Sequence, residues 1–178
     1  MKTITVPTRE QVNPQSQEIF DAITKKMGKV PNLFATIGYS ATALKAVLDL
    51  EETLSHGAFN AKEREAVNLA VSQVNHCNYC LAAHSMIAGM RGYSKEDILG
   101  FRKGTAADQK LQAALQLAQA ISETKGEVSD ELKDAFFEAG YDEAALMELV
   151  GLITLRTFTN FAFALTKIPV DFPAAEKI

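Results

Sequence analysis

The stretch Asn75-His76-Cys77-Asn78-Tyr79-Cys80-Leu81-Ala82-Ala83-His84 holds both cysteines of the chain and two of its three histidines within ten residues. The C-x-x-C spacing of Cys77 and Cys80 lets two sulfurs meet at the start of a helix and close a small disulfide loop. His84 follows Cys80 by four residues, so a helix beginning after Cys77 puts the imidazole and that thiol on one face.

Upstream, Asn60-Ala61-Lys62-Glu63 is a helix start in which the asparagine caps a free amide and the glutamate returns the bond. Val67, Leu69, Ala70, Val71 and Val74 make the helix that follows heavily apolar and internal. On local grounds Glu65 reads as a solvated first-turn acid favoured by the helix dipole. Earlier still, Pro14 to Met27 has helical spacing closed by Gly28. Val30-Pro31-Asn32-Leu33-Phe34 reads as a turn before a short helical piece, and Ser40 to about His56 as a helix stopped by Gly57.

Downstream, Ser94-Lys95-Glu96-Asp97 resembles a second capping box, Asp108 to Lys125 is amphipathic, and Ser129 to Ala139 is a shorter helix. Asp142 to about Lys167 is apolar on nearly every side. Its Arg156, Asn160 and threonines fit a protein core or a subunit interface rather than lipid. Residues 1–13 form an expected extended arm, and 169–178 a tail with Val170 and Phe172 as anchors. The resulting fold class is all-α, one helical domain spanning 1–178.

A chain of 178 residues with 47% apolar content has enough material for one sizeable core. Eighteen Lys and Arg against 22 Asp and Glu are scattered, which excludes the basic patch that nucleic acid demands. With no signal-peptide run and no charge-free stretch of 18 residues, neither secretion nor membrane spanning is indicated, so the expected compartment is the cytoplasm. Two cysteines are too few for a secreted disulfide scaffold. In a reducing compartment a close pair more often binds metal or cycles in redox chemistry.

Three readings of the pair stand side by side. As a redox couple, one thiol is activated as thiolate, with His84 placed to act on Cys80, and Cys77 can attack an oxidised sulfur without any flavin, haem or nicotinamide. As a zinc site, His76, Cys77, Cys80 and His84 supply four nominal ligands, although adjacent His76 and Cys77 are awkward to aim at one tetrahedral ion. As packing, both sulfurs are inert. Tyr79 reads equally as a hydroxyl donor to the site or an aromatic packed on a neighbouring helix. His76 and His56 read as helix-end caps.

Lys62-Glu63-Arg64-Glu65-Ala66-Val67 followed by Cys77-Asn78-Tyr79-Cys80-Leu81-Ala82-Ala83-His84 resembles the alkyl hydroperoxidase D-like and carboxymuconolactone decarboxylase superfamily. The shared pattern is a glutamate twelve residues before a C-x-x-C pair and a histidine four beyond it. Glu65, Cys77, Cys80 and His84 match each element. The resemblance implies a single-domain hydroperoxidase D-like bundle in which Cys80 is peroxidatic, Cys77 resolving, and Glu65 with His84 a proton relay. Helix-start logic alone favours Cys77 as the more acidic thiol, so the role of Cys80 rests partly on the resemblance. The hydroperoxidase D enzymes themselves carry a histidine immediately before the second cysteine, where this chain has Tyr79. The decarboxylase branch lacks the paired-thiol site and fits less well.

The expected activity is therefore a thiol peroxidase acting on hydrogen peroxide or organic hydroperoxides, with no metal and no cofactor. An external dithiol or protein disulfide reductant would reset the pair. General thiol-disulfide exchange, and a zinc-binding or structural helical protein, are the competing readings. The resemblance also implies a homo-oligomer, trimer or hexamer, to which Phe158, Phe161 and Phe163 could contribute an interface.

Overall fold

In a computed structural model, which describes residues 3–178, the described residues hold helices and irregular segments with no strand. The helices are α1 (Pro14–Met27), α2 (Asn32–Ile37), α3 (Ala41–Leu54), α4 (Ala61–Val74), α5 (Asn78–Met90), α6 (Lys95–Arg102), α7 (Gln109–Thr124), α8 (Asp130–Glu138) and α9 (Glu143–Thr166). The all-α, single-domain helical bundle expected from the sequence is the fold observed.

Local chemistry sets most of these boundaries. Asn13, Ser40, Asn60, Ser94, Asp108 and Asp142 each accept a backbone N–H of the first turn through the side chain. Asn60 and Glu63 close the expected capping box, and Ser94 with Asp97 a second. Gly28 ends α1 at φ 81°, a left-handed conformation open to glycine without a Cβ penalty. Two boundaries differ from expectation. Asn32 already belongs to α2, with Pro31 in the N-cap position, and α3 stops at Leu54 with Ser55 as its C-cap rather than running to His56. There the N–H groups of Ser55, His56 and Gly57 turn back onto carbonyls three residues earlier, tightening the last turn.

Helix α4 is the central element and packs against α5, α6, α7 and α9. Its Ala66, Val67, Leu69, Ala70 and Val71 lie in a core with Leu115 and Leu117 of α7, Phe136 of α8, and Leu149 and Leu152 of α9. A second core joins Phe20 and Ile23 of α1, Leu33 and Ile37 of α2 and Leu44 of α3 to Cys77, Tyr79 and Cys80. The dithiol segment thus lies between the central helix and the N-terminal layer. Removing Cys77, Tyr79 and Cys80 from water is itself favourable, since sulfur and ring surface count as apolar area.

The described part of the arm and the first part of the tail fold back onto that layer. Residues 1 and 2 of the expected arm lie outside the described residues; the rest is irregular apart from one 3₁₀ turn, Arg9–Gln11, where Arg9 grips Asp21 of α1 through two 2.7 Å hydrogen bonds. At the other end, Ile168 is buried and Phe172 packs edge-on against Tyr79, whereas Val170 is exposed. Ile168 and Phe172 are therefore the apolar anchors of the tail, and Val170 is not. Helix α9 is long and apolar enough, by length and composition, to cross a membrane. Its Arg156, Thr159 and Asn160 are buried within this chain.

Candidate functional site

Between α4 and α5 the chain reverses in three residues. Asn75 caps α4, His76 takes a left-handed conformation at φ 52°, and the Cys77 N–H bonds the Ser72 carbonyl at 3.0 Å. Cys77 then becomes the N-cap of α5, its Sγ accepting from the Cys80 N–H at 3.4 Å. Sulfur here does what a serine hydroxyl commonly does, which holds the Cys77 thiol over the helix start, next to Cys80. The two cysteines are not joined in a disulfide and each is only 2% exposed.

Glu65 is not the solvated acid that its place in the first turns of α4 suggests. It is buried, because α4 is enclosed on several sides, and its Oε2 lies 2.7 Å from Nδ1 of His84. Arg91, at the end of α5, approaches Oε1 of the same carboxylate at 3.6 Å. Burial pushes the Glu65 carboxyl up, but His84, Arg156 and Arg91 outweigh it and hold the group below the ordinary glutamate value. Glu65 is consequently an anion at neutral pH. The structure brings the four residues picked from the sequence into one buried cluster on α4 and α5.

The two thiols are inequivalent. Hydrogen bonding with Cys77 is the largest influence on Cys80 and lowers its pKa; burial opposes this, and Arg156, His84 and Asn160 lower it further. Cys77 moves the other way, raised first by that same bond and then by burial. The pair therefore holds one proton on Cys77 and develops its thiolate on Cys80. Helix-start logic picks the other sulfur because it contains only the N–H that Cys77 accepts, and neither the hydrogen bond between the thiols nor the charge of Arg156, both of which favour the Cys80 thiolate.

A polar ladder on α9 faces this cluster, and little in the sequence points to it. Arg156 Nε donates to Oδ1 of Asn68 at 3.1 Å, Nη1 to Oγ1 of Thr159 at 3.4 Å and Nη2 to Oε2 of Glu51 at 3.3 Å. The Cys80 thiol points at the same Thr159 hydroxyl, 4.0 Å away. Asn160 accepts from Nδ2 of Asn75 at 2.9 Å and donates to Ser72 at 3.3 Å. Arg156, Thr159 and Asn160 recur at helical spacing inside an otherwise apolar segment, the one signal that could have placed them together on a face.

Tyr79 points away from the thiols. Its hydroxyl donates to Oδ1 of Asp171 in the tail at 2.6 Å and accepts the Leu33 N–H at 3.1 Å, while its ring packs against Phe163 and Phe172. Burial, and then the Asp171 carboxylate, raise the phenol well above its ordinary pKa, so it transfers no proton near neutrality. His76 is exposed, and His56 pairs with Glu52 at 3.3 Å on the surface. Among the described residues no group of three or more His, Cys, Asp or Glu side chains is arranged to hold a metal ion. What the cluster offers chemically is a thiol poised to ionise, a second thiol beside it, and a carboxylate–imidazole pair for proton transfer.

The carboxymuconolactone decarboxylase family model matches residues 41–123, a span that contains Glu65, both cysteines and His84. The uncharacterized protein YdfG of Bacillus subtilis (strain 168) is 29% identical over 114 residues, covering 62% of this chain and 77% of its own. Among solved structures, an alkylhydroperoxidase core described as an uncharacterized peroxidase-related protein from Ralstonia eutropha JMP134 superposes with a TM-score of 0.82 at 19% identity, covering 93% of this chain and 90% of its own. The debrominase Bmp8, bound to 2,3,4-tribromopyrrole, superposes with a TM-score of 0.80 at 20% identity over 96% and 92% of the two chains. An uncharacterized peroxidase-related protein from Silicibacter sp. TM1040 gives 0.79 at 18% identity over 97% and 93%. At such identities the likeness to the solved structures is one of fold. Residues 41–123, α3 to α7 with the cysteine pair inside them, are thus similar to the carboxymuconolactone decarboxylase family, and the whole chain shares its fold with the peroxidase-related structures.

Proposed function

We propose that the protein is a thiol peroxidase in which Cys80 attacks the peroxide and Cys77 resolves the product. The observation that carries this reading is the geometry of the dithiol: Cys77 and Cys80 lie buried side by side at the start of α5, joined by a 3.4 Å contact from the Cys80 N–H to Cys77 Sγ, one turn from the buried Glu65–His84 pair, and the directions of the two thiol shifts agree with it. A thiolate is the nucleophile that peroxide cleavage needs.

The Cys80 sulfur forms a bond to the terminal peroxide oxygen as the O–O bond breaks. The leaving oxygen takes a proton and departs as water or an alcohol, leaving Cys80 as sulfenic acid. The Cys77 sulfur then attacks the Cys80 sulfur, the S–O bond breaks, and the hydroxyl leaves as water with the proton that Cys77 gives up. In sum, one peroxide and two thiols give an alcohol or water, a second water and a disulfide. Glu65 orients His84 through Nδ1, and the imidazole carries protons to and from the site. An external dithiol or protein disulfide reductant closes the cycle, as the chain supplies only these two thiols.

Stopped-flow oxidation of the reduced protein by hydrogen peroxide and by an organic hydroperoxide, with mass readout, tests this function. The expected result is oxidation far faster than that of free cysteine, ending in a Cys77–Cys80 disulfide. Oxidation no faster than free cysteine, together with rapid exchange with a small disulfide, would replace the peroxidase by a general thiol-disulfide oxidoreductase.

For assembly, we propose a homo-oligomer, trimer or hexamer, built on α9. Met147, Val150, Phe158, Phe161 and Leu165 leave an apolar face exposed beside a groove of about 940 Å³. Such a face is more apolar than a lone chain usually presents to water.

A further inference from the structure

Arg156 is a buried cation that its own side-chain partners neutralise only in part, and its charge also reaches the Glu65 carboxylate. Of its three side-chain acceptors, Asn68 and Thr159 carry no charge, and the carboxylate of Glu51 sits at the rim with its side chain 45% exposed. A guanidinium in such a place keeps its full charge at every pH the protein meets. The Thr159 hydroxyl lies between this charge and the sulfur: it accepts from Arg156 Nη1, donates to the Arg156 carbonyl at 2.9 Å, and faces the Cys80 thiol.

The other charged or titratable groups around Cys80 do not replace it. Cys77 and His84 lie on α5 with Cys80, Glu65 faces them from α4, and Arg91 closes the far end of α5. Glu65 is ionised and bound to His84, so a protonated His84 is largely cancelled by its own partner, and a neutral His84 leaves a net anion. Arg91 is itself spent on Glu65. The permanent positive charge facing Cys80 from another helix is Arg156.

We propose that Arg156 is a positioning residue of the dithiol site, holding a fixed positive charge next to Cys80 and delivering it through the Thr159 hydroxyl. When Cys80 loses its proton, that hydroxyl turns from the Arg156 carbonyl to donate to the sulfur, while Arg156 Nη1 still anchors its oxygen. This rests on Cys80 being the reactive thiol. It makes the thiolate depend on α9, so that α4 and α5 supply the proton transfer and α9 the charge. The direction of the Cys80 shift, with Arg156 the leading charge behind it, agrees.

The test follows alkylation of Cys80 by iodoacetamide against pH in the reduced protein, quantified on the Cys80 peptide by mass spectrometry, with no peroxide involved. R156M is expected to raise the midpoint by about one pH unit, which slows alkylation about tenfold at a pH below both midpoints. R156K, which keeps an ammonium but not the fork that anchors Thr159, moves it less than R156M does, and T159V moves it upward while T159S does not. E51Q acts in the opposite direction, lowering the midpoint, because it removes the anion that partly cancels Arg156; a generally loosened site would not produce that sign. Should R156M fail to fold, E51Q and T159V carry the test. An unchanged midpoint in folded R156M, or in both E51Q and T159V, overturns the proposal. Slow peroxide turnover with these shifts intact would instead count against the peroxidase reading alone.

Discussion

Glu65 Oε2 and His84 Nδ1 lie 2.7 Å apart, joining α4 to α5 through two buried side chains. The carboxylate fixes the ring and leaves the second ring nitrogen for chemistry. Glu65→Gln and His84→Gln are therefore expected to slow peroxide oxidation of the thiols near neutral pH, by about 10-fold for the first and about 100-fold or more for the second. Stopped-flow rates on proteins matched for helical content check this. Wild-type rates in both variants would remove the proton-relay role.

The same contact sets a pH dependence of stability. The Glu65 carboxyl is held below 4.5, its ordinary value, in the folded chain. Between the two values the unfolded chain is protonated while the folded one is not, so stability falls as acid is added. The contribution is fully present above the ordinary glutamate value and is lost as pH falls through the lowered folded value. Urea unfolding from pH 7 down to the acid limit should show a smaller loss in Glu65→Gln than in wild type. Parallel losses would mean that the carboxylate gains nothing from its partners.

Tyr79 and Asp171 couple the dithiol turn to the tail. Tyr79→Phe leaves the buried Leu33 N–H without its acceptor and removes the donor to Asp171 Oδ1, while Lys29 still holds Oδ2, at a cost of about 1–3 kcal/mol. Urea midpoints measure this. Because the phenol points away from both sulfurs, the rate of Cys80 oxidation should change by less than about threefold, far below the effect of altering a proton-transfer group. A large loss of rate at unchanged stability would make Tyr79 part of the reacting site.

An exposed apolar face on α9 predicts assembly. Light scattering should find a trimer or hexamer, and Phe161→Glu, at a residue 62% exposed in the single chain, should shift it toward smaller species without unfolding the bundle. A monomer at all concentrations would contradict the assembly.

How much the sequence discloses depends on how local the cause is. Helix starts were legible at Ser40, Asn60, Ser94, Asp108 and Asp142, since each cap contacts an amide two or three residues away. Cys77, Cys80 and His84 were legible together through their spacing, and Glu65 joined them only through the resemblance to the family pattern. Glu65 on its own was not, because its burial comes from the helices packed around α4, which a first-turn argument does not contain. Nor could Arg156 be paired with Asn68, or Tyr79 with Asp171: these partners lie 88 and 92 residues apart, beyond any periodic signal. A single arginine in an apolar helix says that it needs company, without naming it.

The unequal thiols admit the most direct test. In Cys77→Ser, a peroxide pulse followed by dimedone trapping and mass spectrometry should place a sulfenic acid on Cys80 at close to the wild-type first rate, with no intramolecular disulfide. Cys80→Ser should lose the rapid reaction altogether. Sulfenic acid forming rapidly on Cys77 in Cys80→Ser, with Cys80 inert in Cys77→Ser, would contradict the account.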